Sequence, residues 1–391
     1  MRKWLAGGLL AAVLLSTASG AAPNARPKWT VQYFFDENNK ELRIADLAFP
    51  SASRGIAVGA IVDRKSGRSQ NTAVVTADAG NHWALVPLKE SPRSLFFLNE
   101  SAGWLVTDDG LWFTDEAGRS WKRLSAQIRP NRRLANAPDG GLLLRVWFLD
   151  SQHGFGVGLQ KSVYETQDGG RTWKAVAEAA KPLTGAASSV YSQIAFADAQ
   201  RGLIAGGYIP PRVGSGWRES LPDWLFPERA LKRVAQAVPS LEMETRDGGA
   251  SWRAGAVPVL GIIERLRVAG SAGLAIFSFP DSVETPAEVY RLDLNTGKSR
   301  SVFKQKDRRV TDGAVFSNGT AILAAIEPPG RLRSAPIPGK VKMLTSVDLS
   351  TWTEMAVDYR AVARSVVLAA PDPEHLWIAT DTGMILRFVT P

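Results

Sequence analysis

Apolar and polar positions alternate along this chain in short bursts, and the bursts recur. An apolar pair, a polar turn, and a glycine followed by a second apolar run read Leu-Ala-Phe-Pro-Ser-Ala-Ser-Arg-Gly-Ile-Ala-Val-Gly from Leu47. The pattern returns over residues 96–106, 147–158 and 194–206, and in weaker form over 266–277, 314–325 and 366–379. Short apolar runs bounded by Gly, Pro, Ser and Asp predict β-hairpins. From Gly55 through Gly103 and Gly154 to Gly202 the intervals are 48, 51 and 48 residues, whereas the next, to Gly273, is 71. One ordinary repeat therefore carries an insertion, placed at about residues 207–241.

A second motif lies between the hairpins. Thr76-Ala-Asp78-Ala-Gly80-Asn-His82-Trp83 is followed by Thr114-Asp-Glu116-Ala-Gly118-Arg-Ser120-Trp121, Thr166-Gln-Asp168-Gly-Gly170-Arg-Thr172-Trp173 and Thr245-Arg-Asp247-Gly-Gly249-Ala-Ser251-Trp252. A shortened copy runs from Ser346 through Asp348 to Trp352. A carboxylate in a tight turn accepts several backbone N–H groups. Glycine supplies the positive φ such a turn needs. The closing indole buries a wide apolar face while keeping an N–H to donate. These are Asp-boxes, or BNR repeats, and their aspartates are expected to clamp turns rather than catalyse or bind metal, with Glu116 the weaker clamp.

Hairpins at a period near 50 residues predict an all-β chain, folded as a seven-bladed β-propeller of four-stranded antiparallel blades. The chain ends in an apolar strand from Gly383 to Val389 that no box follows, and an aromatic strand at residues 29–35 has no hairpin before it. The N-terminal strand is therefore expected to close the last blade and remove an exposed edge. Before it, Arg2 and Lys3, an apolar run from Leu5 to Leu15 and small residues to Ala22 have the pattern of a secretory signal. That run is shorter than the roughly 20 apolar residues of a membrane span. Residues 1–22 are thus read as a signal peptide and 23–391 as the propeller, periplasmic or secreted.

Composition then removes whole classes of chemistry. With no cysteine among 391 residues there is no disulfide, thiol nucleophile or thiolate metal site, and three histidines make a multi-histidine metal centre unexpected. No cofactor or metal is anticipated. The 47 basic against 38 acidic residues give a net charge of +9, which favours anionic partners in general.

Exported propellers with Thr-x-Asp-Gly-Gly-x-Thr-Trp boxes and Gly-(Trp/Phe)-x-Val-Gly hairpins resemble the photosystem II stability/assembly factor family. The resemblance spans residues 28–391, is sharpest over 47–256, and fades thereafter. It implies a non-enzymatic propeller that binds membrane proteins or their precursors outside the cytoplasm and aids their assembly. The insertion departs from the family's regular repeat. Asp-boxes also occur in glycoside hydrolases. A sialidase would carry an Arg-Ile-Pro tripeptide, which is absent here. A general glycosidase needs two carboxylates about 5–10 Å apart, and Asp108, Asp109, Asp381 and Glu327 lie on candidate loops, where turn formation is the favoured reading.

In a propeller the second-to-third-strand loops and the links between blades share one end. Here that end is basic: Arg64, Lys65 and Arg68 from blade one, Lys89 and Arg93 on the next link, and Arg129, Arg132 and Arg133 on the one after. Lys304, Lys306, Arg308 and Arg309 follow on the link from blade five to six, with Arg331, Arg333, Lys340 and Lys342 on a blade-six loop. The insertion carries an amphipathic run at 228–238, read first as a lid on the propeller's own channel and, alternatively, as a partner-binding or membrane-surface arm with Trp217, Trp224 and Phe226 as anchors. The basic end, with the insertion as an arm where it does not lid the channel, is expected to bind an envelope or membrane protein through an acidic segment, as a scaffold or assembly factor (a transporter complex among the candidate partners), with a monomeric chain. An acidic glycan is the alternative partner, a polysaccharide-binding or glycoside-hydrolase propeller the alternative function, and nucleic acid is not expected.

Overall fold

Each early hairpin folds around an aromatic ring laid over a glycine. Phe49, Phe97, Phe148 and Phe196 stand six residues before Gly55, Gly103, Gly154 and Gly202, and a Cβ on those glycines would meet the rings at 2.2, 2.6, 2.5 and 2.5 Å. No other residue fits under the ring, so the motif's spacing is steric in origin. The computed structural model describes residues 27–130, 141–208, 239–278, 287–327 and 338–390. Among them the only helices are two short 3-10 turns, Ala177–Ala180 and Ala186–Ser188.

The strands form antiparallel meanders of four. Sheet one comprises Lys40–Ala48, Gly55–Asp63, Ser69–Thr76 and Ala84–Pro87; sheet two Pro92–Phe97, Gly103–Thr107, Gly110–Thr114 and Lys122–Ala126. Sheet three follows with Leu143–Phe148, Gly154–Gly158, Ser162–Thr166 and Lys174–Ala175. Sheet four has Ser189–Phe196, Gly202–Tyr208, Pro239–Thr245 and Arg253–Leu260, and sheet five Ile262–Ala269, Ala272–Ser278, Ala287–Asp293 and Lys298–Gln305. The remainder is one nine-stranded sheet. It runs from Arg309–Val315 through Ala321–Ile326, Gly339–Ser346 and Thr353–Val357 to Lys28–Phe34, and on through Met384–Val389 and Trp377–Thr380 to Val366–Ala369. The short strand Val362–Ala363 pairs beside Gly339–Ser346.

The first strands of the five four-stranded sheets pack on one another in turn, Lys40–Ala48 on Pro92–Phe97, then Leu143–Phe148, Ser189–Phe196 and Ile262–Ala269. The two edge strands of the nine-stranded sheet, Arg309–Val315 and Val366–Ala369, continue the series and return it to Lys40–Ala48. These innermost strands form a closed ring. The apolar clusters lie between neighbouring sheets, as where Phe155 of sheet three meets Tyr191, Phe196, Met243 and Trp252 of sheet four. Aromatic stacking crosses the same boundaries, with Phe49 on Trp377 and Trp104 on Phe148, each at 3.8 Å between ring centroids.

Closure comes from the N-terminal strand. Trp29 lies opposite Phe388 and Val31 opposite Leu386 in antiparallel register, while Lys28 and Trp29 also pair in parallel with Ala356 and Val357. The Trp29 ring is fully buried, 5.5 Å from that of Phe388. One strand thus joins the chain's beginning to its end and to the sheet before. The insertion connects the second and third strands of sheet four. Its residues 209–238, with Trp217, Trp224, Phe226 and the expected helix at 228–238, lie outside the described residues, as do residues 1–22.

Candidate partner-binding face

The box turns occupy one end of the sheets, between third and fourth strands, and the hydrogen bonds of their carboxylates are internal. The Thr76 hydroxyl donates to Asp78 at 2.9 Å and accepts the Gly80 N–H at 2.9 Å. Asp78 Oδ1 accepts the His82 N–H, also at 2.9 Å. Asp168 accepts the N–H groups of Arg171 and Thr172 and both threonine hydroxyls, and Asp247 the Ser251 N–H together with the hydroxyls of Thr245 and Ser251. These bonds hold the ionised form, so the carboxyls of Asp78, Asp168 and Asp247 are pulled down to about 2. Asp348 is lowered by the N–H groups of Thr351 and Ser350. Glu116 has the Ser120 hydroxyl as its partner, at 2.6 Å. Gly118, Gly170 and Gly249, at φ of 83°, 96° and 92°, also face the preceding sheet: a Cβ on Gly249 would lie 2.1 Å from the Phe155 ring. Trp83, Trp121, Trp173, Trp252 and Trp352 cover the turns, Trp252 edge-on to Phe155 at 5.4 Å and Trp352 donating to the Val302 carbonyl at 2.9 Å.

Second-to-third-strand turns and links between sheets lie at the opposite end, and acidic neighbours meet many of its bases. Arg64 pairs with Glu41 at 3.0 Å, Arg309 with Glu264 at 3.6 Å, and Arg308 with Asp307 and Glu354 at 2.7 and 3.5 Å. Lys342 lies between Glu354 and Glu327, and Lys304 beside Glu288. Lys89 sits over the Trp112 ring at 5.7 Å. Arg93 is different in kind. It binds Asp108 and donates to the carbonyls of Gly141 and Leu143 at 2.9 and 3.0 Å, a brace between sheets two and three. Lys65, Arg68, Arg129 and Lys340 present exposed head groups. Arg132, Arg133, Arg331 and Arg333 fall outside the described residues. Of the carboxylates weighed for a hydrolase, Asp108 pairs with Arg93, Asp381 with Arg364 and Glu327 with Lys342. Among the described residues no cluster of His, Asp and Glu is suited to a metal ion.

A third constellation has no counterpart among the residues singled out from the sequence. The innermost strands present their inner edges to the axis, leaving backbone groups without a strand partner. Side chains from the preceding sheet fill them. Asp46 accepts the Leu95 N–H and Asp312 that of Leu368, each at 2.9 Å; Ser94 donates to the Leu144 carbonyl, Ser192 to that of Ile263, and Arg267 to that of Gly313. A register shift just before Asp46, Ser94, Arg145, Gln193, Arg265 and Asp312 re-aims these residues. The signal was present in sequence: Asp46, Ser94, Arg145 and Gln193 all stand three residues before the hairpin's aromatic.

No protein-family model and no curated protein matches the chain. Solved structures do. YCF48 bound to a D1 peptide aligns with a TM-score of 0.53 at 16% identity, covering 93% of this chain and 100% of that chain. YCF48 from Cyanidioschyzon merolae gives 0.53 at 14%, covering 92% and 98%. The β-propeller domain of the Trilobed protease from Pyrococcus furiosus gives 0.52 at 10%, covering 90% and 96%; that domain has an open velcro topology, whereas here Lys28–Phe34 joins the chain's two ends. At these identities the likeness establishes a β-propeller fold and carries no activity with it.

Proposed function

We propose that the chain is an exported, non-catalytic, seven-bladed propeller whose basic end binds an acidic segment of an envelope or membrane protein and serves its assembly. On this reading the nine-stranded sheet is the sixth and seventh blades fused through Lys28–Phe34, and residues 1–22 are the signal peptide removed on export. The carrying observation is the convergence of exposed bases from separate sheets, Lys65, Arg68, Arg129 and Lys340, at one end of the ring. Charges on independent loops of one rigid scaffold add their fields at a partner's surface and raise its encounter rate. A protein partner is favoured because the similar propeller YCF48 has been solved with a D1 peptide bound.

Recovery of envelope proteins on the immobilised chain, across a salt gradient, tests the reading. Charge reversal at Lys65, Arg68 and Arg129 should weaken retention at least tenfold and flatten its salt dependence, with reversal at Arg119 and Arg171, on the box turns, as the control. Retention indifferent to the first set, or equally lost with the second, contradicts it.

A further inference from the structure

The charges on the innermost strands do not balance. Arg145 from sheet three and Arg265 and Arg267 from sheet five approach Asp46 of sheet one and Asp312 of the nine-stranded sheet, giving three positive charges against two negative. Both carboxylates are already engaged by backbone, Asp46 with the N–H groups of Leu47 and Leu95, and Asp312 with those of Gly313 and Leu368. Their place in the fold is accounted for without the arginines. The guanidiniums, by contrast, have donors to spare. Arg145 reaches Asp46 only at 3.4 Å. Arg265 gives one N–H to the Glu264 carbonyl, while its buried Nε has no hydrogen-bond partner and stands 3.7 Å from Asp312. Arg267 alone is well paired, at 2.8 Å to Asp312.

Burial lowers the Arg145 pKa, and the nearby Arg265 and Arg267 charges act in the same direction against Asp46. Arginine stays protonated regardless, so the cluster keeps one positive charge that no carboxylate within it balances. Solvent reaches the cluster, since the side chains of Arg145, Arg265 and Arg267 are 21%, 17% and 33% exposed. Planar guanidinium forks match oxyanions in pairs of parallel hydrogen bonds.

We propose that the axial channel of the ring binds a small oxyanion, a carboxylate or phosphate-type group, between Arg145, Arg265 and Arg267. The group is carried either by a free solute or by the terminus of a partner peptide. This site is separate from the basic end, and either can fail without the other.

The test measures calorimetric binding and thermal unfolding of the full chain, in low-salt buffer free of other oxyanions, with inorganic phosphate, succinate, or a short peptide ending in a free carboxylate or its amide. The wild type should bind saturably and melt higher with at least one anion, and R145Q and R265Q should bind it at least tenfold more weakly. Saturation by phosphate or succinate assigns the oxyanion to a free solute; saturation only by the free-carboxylate peptide assigns it to a partner's terminus. Without ligand, R145Q should melt at the same temperature as the wild type or higher, because like charges have been relieved; an arginine held as a structural ion pair would give a lower one. If either glutamine variant fails to fold, R265K decides: the charge is kept, the fork is lost, and affinity should still fall tenfold. No saturable binding by the wild type, or equal binding by the variants that fold, overturns the proposal.

Discussion

At the scale of single residues, the box aspartates act on the turn itself. Their oxygens are filled by N–H and hydroxyl groups within four residues, so the folded turn hydrogen-bonds the ionised carboxyl in a way the unfolded chain does not. A carboxyl lowered to about 2 in the fold, against an ordinary value near 4, stabilises the folded state at every pH above its unfolded value. That contribution is lost as pH falls from about 4 toward 2. Acid unfolding followed by tryptophan fluorescence should therefore begin below about pH 4, and Asp78→Asn, Asp168→Asn and Asp247→Asn combined should flatten the stability-versus-pH curve in that window while lowering stability at neutral pH. An unchanged slope would show that these carboxyls are not coupled to folding. The residue scale also separates arginines that look alike in sequence. Arg93 and Arg68 both fall on basic loops, yet Arg93 braces two sheets through the carbonyls of Gly141 and Leu143 while Arg68 faces solvent. That difference depends on contacts 48 and 50 residues away, which a local reading does not contain.

At the scale of elements, the strand Lys28–Phe34 carries more than its length suggests. Trp29 is buried with Leu386, Met343, Val366 and Ile378, side chains from both halves of the nine-stranded sheet. Truncating a buried tryptophan typically costs about 3–5 kcal/mol, and here the loss falls where the ring is joined. Trp29→Ala should lower unfolding stability by about that amount, and hydrogen exchange should rise in Met384–Val389 and Thr353–Val357 before it rises in sheet two. Uniform loosening of all sheets would contradict a local latch. The hairpins and the closing strand were legible in sequence because each rests on a short-range constraint: a ring over a glycine six residues on, or an aromatic strand without a neighbour. The axial cluster was legible only in part: the polar residue three positions before each early aromatic marks the inner strands, but which charges meet depends on closure of the ring, which brings together strands as far apart as those of Asp46 and Asp312.

At the scale of the whole molecule, a ring of sheets sorts its loops onto two ends. One end holds the box turns, whose aspartate carboxylates are satisfied from within. The other collects exposed bases that the fold leaves available alongside several it neutralises, such as Arg308 between Asp307 and Glu354. The effective basic surface is thus smaller than the sequence implies, and centres on Lys65, Arg68, Arg129 and Lys340. The most direct measurement of the binding role places a photo-crosslinking residue at position 68 or 129 in the full chain, and at 119 or 171 as the comparison, before irradiation with native envelope. A discrete protein adduct formed from 68 and 129, absent from 119 and 171 and suppressed by salt, is the expected result. Adducts formed equally from both ends, or from 119 and 171 alone, would contradict a basic binding face.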